Sequence, residues 1–386
     1  MLADGLDPID PPTPGIRVVV VIPARDEADH LPSCLQALAD QVGLDGAAVD
    51  RRVYEVIILA NNCTDATARL ARRFAAEAAN APAIHVVERA YPESEAHVGT
   101  ARKWLMDRAC DRLEGIGRDR TLIASTDADT RVGRTWIAAQ LDAVDRGADA
   151  VAGSIRVALA ELRRLGPHVR RAYWLDLAYR RLKLELEARL DPNPLDPHPR
   201  HDFHGGASLA ITPAMYRRVG GLTPLRSLED VALTEALWRV DARFVHSPRV
   251  RVRTSGRLAG RADGGHSHGL RRWAANAPEL VPDVADLEAM LATRGALRRW
   301  HRAALRPENA SAALNPALVA EMADRVRVAP TVLSGAIDRR EPFGLLLERL
   351  AAARPDPPPS EDRPYVPIAT AIEQLRARLR WFARPG

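Results

Sequence analysis

The sequence predicts an α/β fold: a mostly parallel central sheet flanked by helices, with a mainly helical C-terminal extension. Three observations carry this. Short apolar runs alternate with longer amphipathic stretches as far as Val157. The first run, Ile16–Ile22 (IRVVVVI), has the nearly continuous β-branched character of a strand buried on both faces. After Gly265 the strand-like runs give way to a mostly helical pattern.

Taken in order, Asp29–Gln41 reads as a helix with Leu31, Leu35 and Leu38 on its inner face. Val53–Ala60 is a second strand, Thr64–Asn80 a second helix and Ala83–Val87 a third strand. Val98–Leu113 is helical, with Ala101, Leu105, Ala109 and Leu113 at helical spacing. Thr121–Ser125 is the fourth strand, Arg134–Arg146 a helix, and Ala148–Val157 strand-like again. Gly166–Leu190 is a long Arg-rich amphipathic helix, closed by the proline-rich break Asp191–Pro199. A glycine turn then leads into a short strand (Gly205–Ile211), a helix from about Pro213 and another from near Glu229. Arg243–Val245 and Val250–Arg253 read as two short strands. A second proline-rich stretch, Pro355–Pro367, precedes a terminal amphipathic helix, Ile368–Phe382.

Composition narrows the function. The chain has 386 residues, 46% hydrophobic, enough for a large catalytic domain with an extension. Its net charge of +5 suits anionic substrates or a membrane surface. Dispersed charge and only 5% aromatic residues argue against nucleic acid. Cys34, Cys63 and Cys110 are isolated and odd in number, which argues against a disulfide framework or a zinc site and points to a reducing cytoplasm. Met1–Pro14 is acidic and proline-rich, unlike a signal peptide. No apolar run approaches the roughly 20 residues of a membrane span. The expected protein is cytoplasmic, with at most peripheral membrane contact.

The chemistry gathers at strand ends. Asp127 and Asp129 directly follow the fourth strand, and their i, i+2 spacing in an extended segment points both carboxylates to one side. Ligands of open α/β sheets bind outside the carboxyl ends of strands. Two acids there can share a hard divalent cation that grips a diphosphate. The first strand ends in Pro23-Ala24-Arg25-Asp26-Glu27 and the second in Asn61-Asn62-Cys63-Thr64-Asp65, on the same rim. These side chains can read a nucleobase and a ribose; Asp29, Thr64 and Asp65 are equally good helix N-caps. There is no Gly-x-x-x-x-Gly-Lys-Ser/Thr loop and no Gly-x-Gly-x-x-Gly turn, so phosphate falls to metal and arginine. Arg102 and Lys103, after Gly99, either approach a nucleotide or form an exposed basic turn. Gly205, Gly206 and Ala207 form a small-residue turn. Glu229 and Asp230 open a helix, where they either offset its dipole or take a proton from an acceptor hydroxyl. The Arg/Gly-rich segment Arg251–Gly265, with Arg257 and Arg261, suits a loop closing over a diphosphate. His246, His266 and His268 lie close by, and one of them could complete a metal shell.

In this order, Val-Ile-Pro-Ala-Arg-Asp-Glu, Asn-Asn-Cys-Thr-Asp-Ala-Thr, Asp-Ala-Asp, Gly-Gly and Glu-Asp-Val-Ala-Leu resemble the family 2 glycosyltransferases of GT-A fold, over roughly residues 16–265. The resemblance implies inverting, non-processive transfer of a sugar from a nucleoside diphosphate sugar to an acceptor hydroxyl, with Mg²⁺ or Mn²⁺. It implies Pro23, Ala24, Arg25, Glu27, Asn61 and Asn62 along base and ribose, Asp127 near ribose or sugar, and Asp129 on the metal, with Asp127 its neighbour. It further implies Gly205–Ala207 beside the acceptor and Asp230 as base, with Glu229 adjacent. The sequence departs from the family in having Asn61-Asn62 where an acidic pair is common and in lacking Gln-x-x-Arg-Trp. The expected organisation is a disordered segment 1–15, a catalytic domain 16–265 (nucleotide half 16–130, acceptor half 131–265), a helical extension 266–354, a linker 355–367 and a terminal helix 368–386. Rival readings are a retaining enzyme of the glucosyl-3-phosphoglycerate synthase type, a sugar-phosphate nucleotidyltransferase and a non-catalytic basic binding protein.

Overall fold

The computed structural model describes residues 9–258, 265–306, 308, 313–353 and 365–382. Residues 1–8 of the expected disordered segment, Arg261 and the linker residues 355–364 lie outside them. The chain divides into two compact units. The first is Met1–Gly166, Asp202–Glu235 and Arg243–Arg272; the second is Pro167–His201, Ala236–Ala242 and Trp273–Gly386.

The first unit is built on an eight-stranded sheet. Its strands are β1 (Val18–Ala24), β2 (Tyr54–Asn61), β3 (Ala83–Arg89), β4 (Leu122–Ser125), β5 (Arg131–Val132), β6 (Ala150–Val157), β7 (Leu209–Ile211) and β8 (Phe244–Thr254). Their spatial order is β3-β2-β1-β4-β7-β6-β8-β5. β3, β2, β1 and β4 are mutually parallel, as the alternating pattern predicts. Apolar side chains cover both faces, which is why β2 is buried at every position. β7 runs antiparallel to both β4 and β6, and β8 runs parallel to β6.

This topology creates the functional rim. Two antiparallel steps restore direction, so β6 and β8 end on the same edge as β1, β2 and β4, and β7 starts there. Register fixes the level: Ala24 faces Ala60, and Val21 faces Ser125. The segments after Ala24, Asn61, Ser125 and Thr254, and the turn before Leu209, therefore converge.

Element boundaries follow local chemistry. The second helix is Thr67–Glu77 and starts later than expected. Thr64 and Asp65 are held back by Asp26, whose Oδ1 accepts from Thr64 N at 2.7 Å. The two short strands expected over 243–253 are one strand, β8, with an irregularity opposite Gly153 and Ser154. Pairing there jumps from Ser247 to Arg251, skipping Pro248, which has no N–H to donate.

The second unit is mostly helical. The long helix Pro167–Leu190 packs with Val284–Ala304 and Ile368–Phe382 around Tyr179, Leu186, Leu287, Leu291 and Leu375. A separate apolar cluster joins Pro316–Val326, Pro330–Asp338 and Phe343–Ala353. β9 (Leu280–Pro282) and β10 (Tyr365–Pro367) form a two-stranded sheet. Among the described residues no helix is long and apolar enough to cross a membrane.

Candidate active site

β4 is four buried residues, Leu122–Ser125, and the chain leaves it through Thr126, whose hydroxyl donates to Ala207 O at 2.9 Å. That bond ties the start of the Asp127–Asp129 segment to the Gly205–Ala207 turn. Asp127 Oδ1 accepts from Arg102 Nη2 at 2.5 Å, and 34% of the Asp127 side chain remains accessible. Asp129 is more enclosed. Its Oδ2 accepts from Ser255 Oγ at 2.6 Å and lies 3.0 Å from Arg257 Nη2.

Arg257 bridges two strand ends. Its guanidinium also donates to both oxygens of Glu27, at 2.6 and 3.1 Å. Glu27 is 4% exposed, and its own N–H donates to Thr67 Oγ1 at 2.8 Å. On the other side, Arg102 Nη1 donates to Glu229 Oε1 at 2.8 Å. The next residue, Asp230, accepts from Gly206 N at 2.7 Å through Oδ2 and from Val231 N at 2.8 Å through Oδ1.

The electrostatics of single groups follow from the closeness of these acids. Burial raises the Asp127 carboxyl above its ordinary range; Asp129 and Asp230 push it further against the pull of Arg102. Burial likewise raises Glu229, with Asp230 and Asp127 adding to it. The thiol of Cys34, which donates to Asp127 O at 3.6 Å, is raised by burial first and then by Asp129, Asp127 and Glu27. Burial works against the Arg102 guanidinium, yet Asp127, Glu229 and Asp230 hold its affinity for the proton above the ordinary value. His204, one residue before Gly205, is lowered by burial and by His246, with Asp230 acting in the opposite sense. The His204 and His246 rings lie 6.1 Å apart.

The remaining sequence-expected residues sit on the rim with local tasks. Pro23 and Ala24 end β1, and Arg25 donates to Ala96 O at 2.7 Å. Asn61, 3% exposed, reaches His97 O at 3.5 Å through its amide nitrogen, while its amide oxygen is buried without a hydrogen-bond partner. Asn62 has φ of +50°, a conformation asparagine tolerates, and its side chain is engaged with the backbone of Tyr91 in both directions, at 2.9 and 3.0 Å. Asp65 accepts from Ala28 N and from Thr67 N and Oγ1, so it braces the loop before its helix. Arg257 joins the cluster; Arg261 lies outside the described residues.

Two features escaped the sequence. Thr67 and Ser255, which contact Glu27 and Asp129, lie in segments singled out for other residues, and their own contacts were not foreseen. Asp26, Cys63 and Asp65 form the one group among the described residues whose ligand atoms all lie within 4.8 Å of one another. The carboxylates of that group are already used by backbone N–H groups of the two loops, which fits bracing better than ion binding.

Several solved structures are loosely similar. A mannosyltransferase from Pyrobaculum calidifontis in complex with GDP-Man and Mn²⁺ is 17% identical, with 96% of this chain and 82% of that one covered and a TM-score of 0.44. S. aureus TarS 1–349 in complex with UDP-GlcNAc is 11% identical, with 90% and 98% covered and a TM-score of 0.41. GalNAc-T7 with UDP, GalNAc and Mn²⁺ is 13% identical, with 87% and 56% covered and a TM-score of 0.43. No curated protein matches the chain. The family described as glycosyl transferase family 2 matches residues 19–206, from β1 through the acids after β4 to the turn before β7. Over residues 19–206, which hold the strands β1 to β4 and β6 and the acids after β4, the chain belongs to glycosyl transferase family 2.

Proposed function

We propose that the chain transfers a sugar from a nucleoside diphosphate sugar to an acceptor hydroxyl with inversion, with Asp230 as the general base. The observation that carries this reading is the linkage of Asp127, through Arg102, to Glu229, next to Asp230. Donor-side and acceptor-side acids thus belong to one cluster. Both oxygens of Asp230 accept backbone N–H bonds, which hold the carboxylate in one orientation to receive a hydroxyl proton. Arg257 stands beside Asp129, where a guanidinium can share the charge of a leaving diphosphate.

The donor set fits a divalent cation. Asp127 and Asp129 offer hard carboxylate oxygens beside Glu27, Glu229 and Asp230, with Arg102 and Arg257 among them. Asp129, with Asp127, would hold Mg²⁺ or Mn²⁺, which when bound supplies neutralisation of the diphosphate. Pro23, Ala24, Arg25, Glu27, Asn61 and Asn62 line the rim on the nucleotide side. The buried, unpartnered amide oxygen of Asn61 supports a role in donor recognition there. Trp174 and Trp381, each 55% exposed on Arg-bearing helices, support peripheral contact with anionic lipid, which co-flotation with anionic vesicles tests.

The deciding experiment is a thermal-shift panel of UDP-, GDP- and TDP-sugars with and without Mn²⁺, followed by turnover of the stabilising donor. A donor that binds the native state raises the melting point. Asp129→Ala and Asp230→Asn should each lower turnover on the order of 10³-fold. The transferred sugar should have the inverted anomeric configuration by NMR. Near-normal turnover in Asp230→Asn, or a retained configuration, contradicts the reading.

A further inference from the structure

We infer that Arg102 is a positioning residue that locks the donor-side and acceptor-side acids together, and that it does not contact the nucleotide. The inference rests on the transferase reading and deepens it. Arg102 lies near the start of the helix Val98–Ile116 and is 3% exposed. One arm of its guanidinium holds Asp127 and the other holds Glu229. Its Nε is buried without a hydrogen-bond partner, and both of its Nη groups are taken up by Asp127 and Glu229.

The third contact is steric. A Cβ on Gly206 would lie 1.9 Å from Arg102 Nη1, so the turn before β7 rests directly on the guanidinium. The same Gly206 gives its N–H to Asp230. One planar cation therefore touches the segment after β4, the start of the helix Glu229–Arg239 and the turn that orients Asp230. A guanidinium can bind two carboxylates from a fixed fork; an ammonium is a single compact charge and cannot match both. The positions of Asp127 and Asp230 are thus set by one side chain 25 residues from the first and in contact with the neighbour of the second.

Two variants perturb this contact differently. Arg102→Lys keeps the charge and loses the fork. Gly206→Ala keeps Arg102 and inserts a methyl where the guanidinium lies. Each is compared with wild type in hydrolysis of the donor chosen by the thermal-shift panel, with Mn²⁺, and in calorimetric titration with the matching nucleoside diphosphate. In both variants kcat should fall on the order of 10²-fold, the scale of a small misplacement of catalytic groups. Nucleotide Kd should change less than about threefold, since no direct contact is lost.

Variants that retain kcat within about threefold would overturn the positioning role while the transferase reading stood. A Kd weakened about tenfold or more with kcat kept would make Arg102 a nucleotide ligand instead. Circular dichroism and thermal melts come first: if neither variant folds, Arg102 is a stability element and the positioning claim fails. Absence of turnover in the wild type with every donor would overturn the transferase reading itself, separately from any variant.

Discussion

Glu55 shows how one buried charge is held at the residue scale. It lies mid-strand in β2 at 1% exposure, where a lone carboxylate would be costly. Arg112 binds both its oxygens, at 2.6 and 2.8 Å, and His85 lies 3.4 Å away. Burial pushes the carboxyl up, but the nearby His85 and the bonds from Arg112 outweigh it and hold the group below its ordinary value of 4.5. A lowered folded value means stability that is present above the unfolded value and lost as pH falls through the folded one. Urea unfolding of wild type and Glu55→Gln should therefore differ at neutral pH, and the gap should narrow below pH 4.5. A gap independent of pH would show that the pair contributes through packing alone. Asp127 and Asp129 were legible in the sequence because two acids directly follow a short apolar strand. The place of Arg102 was not: from sequence it reads as a nucleotide contact or an exposed basic turn, and its burial between two acids is visible only in the fold.

Among elements, the helix Val98–Ile116 illustrates what a missing side chain permits. A Cβ on Gly99 would sit 1.9 Å from Leu225 O, so the helix lies against the backbone of the loop leading to Glu229. Gly99→Ala should displace that loop and destabilise the protein by about 1–3 kcal/mol, measured by urea denaturation. Unchanged stability would mean that the loop yields freely. The residue before Glu229, Leu228, has φ of +62°, uncommon for a residue with a Cβ, so the approach to the helix Glu229–Arg239 is tightly turned. Strand positions were readable because β-branched runs report burial on two faces, and the terminal helix Ile368–Phe382 matched its expected bounds. Helix starts were less so. At Thr64–Thr67 the outcome hinged on a carboxylate from a different loop, Asp26, which local propensity cannot report.

For the whole molecule, two units with separate cores come from an interleaved chain. The helix Pro167–Leu190 follows β6 in sequence yet groups with the C-terminal helices, because its apolar residues pack with Leu287, Leu291 and Leu375. Asp191, just after that helix and 1% exposed, accepts from Arg298 Nε at 2.6 Å and also from Arg294. Removing one partner of a buried ion pair leaves its charge uncompensated. Asp191→Ala should cost about 3–5 kcal/mol, read by hydrogen exchange in the helices 167–190 and 284–304. An unaltered exchange pattern there would mean the network adds no stability. The sequence by itself determined the alternation of strands and helices, the parallel half of the sheet and the acids at its rim. Those features rest on periodicity and on residues a few positions apart. Only the tertiary structure decided which donor meets which acid: Arg102 reaches Glu229 across 127 residues, and Ser255 reaches Asp129 across 126. No local pattern encodes such pairings, because they arise when β7 reverses direction and brings the ends of β4 and β8 to one edge.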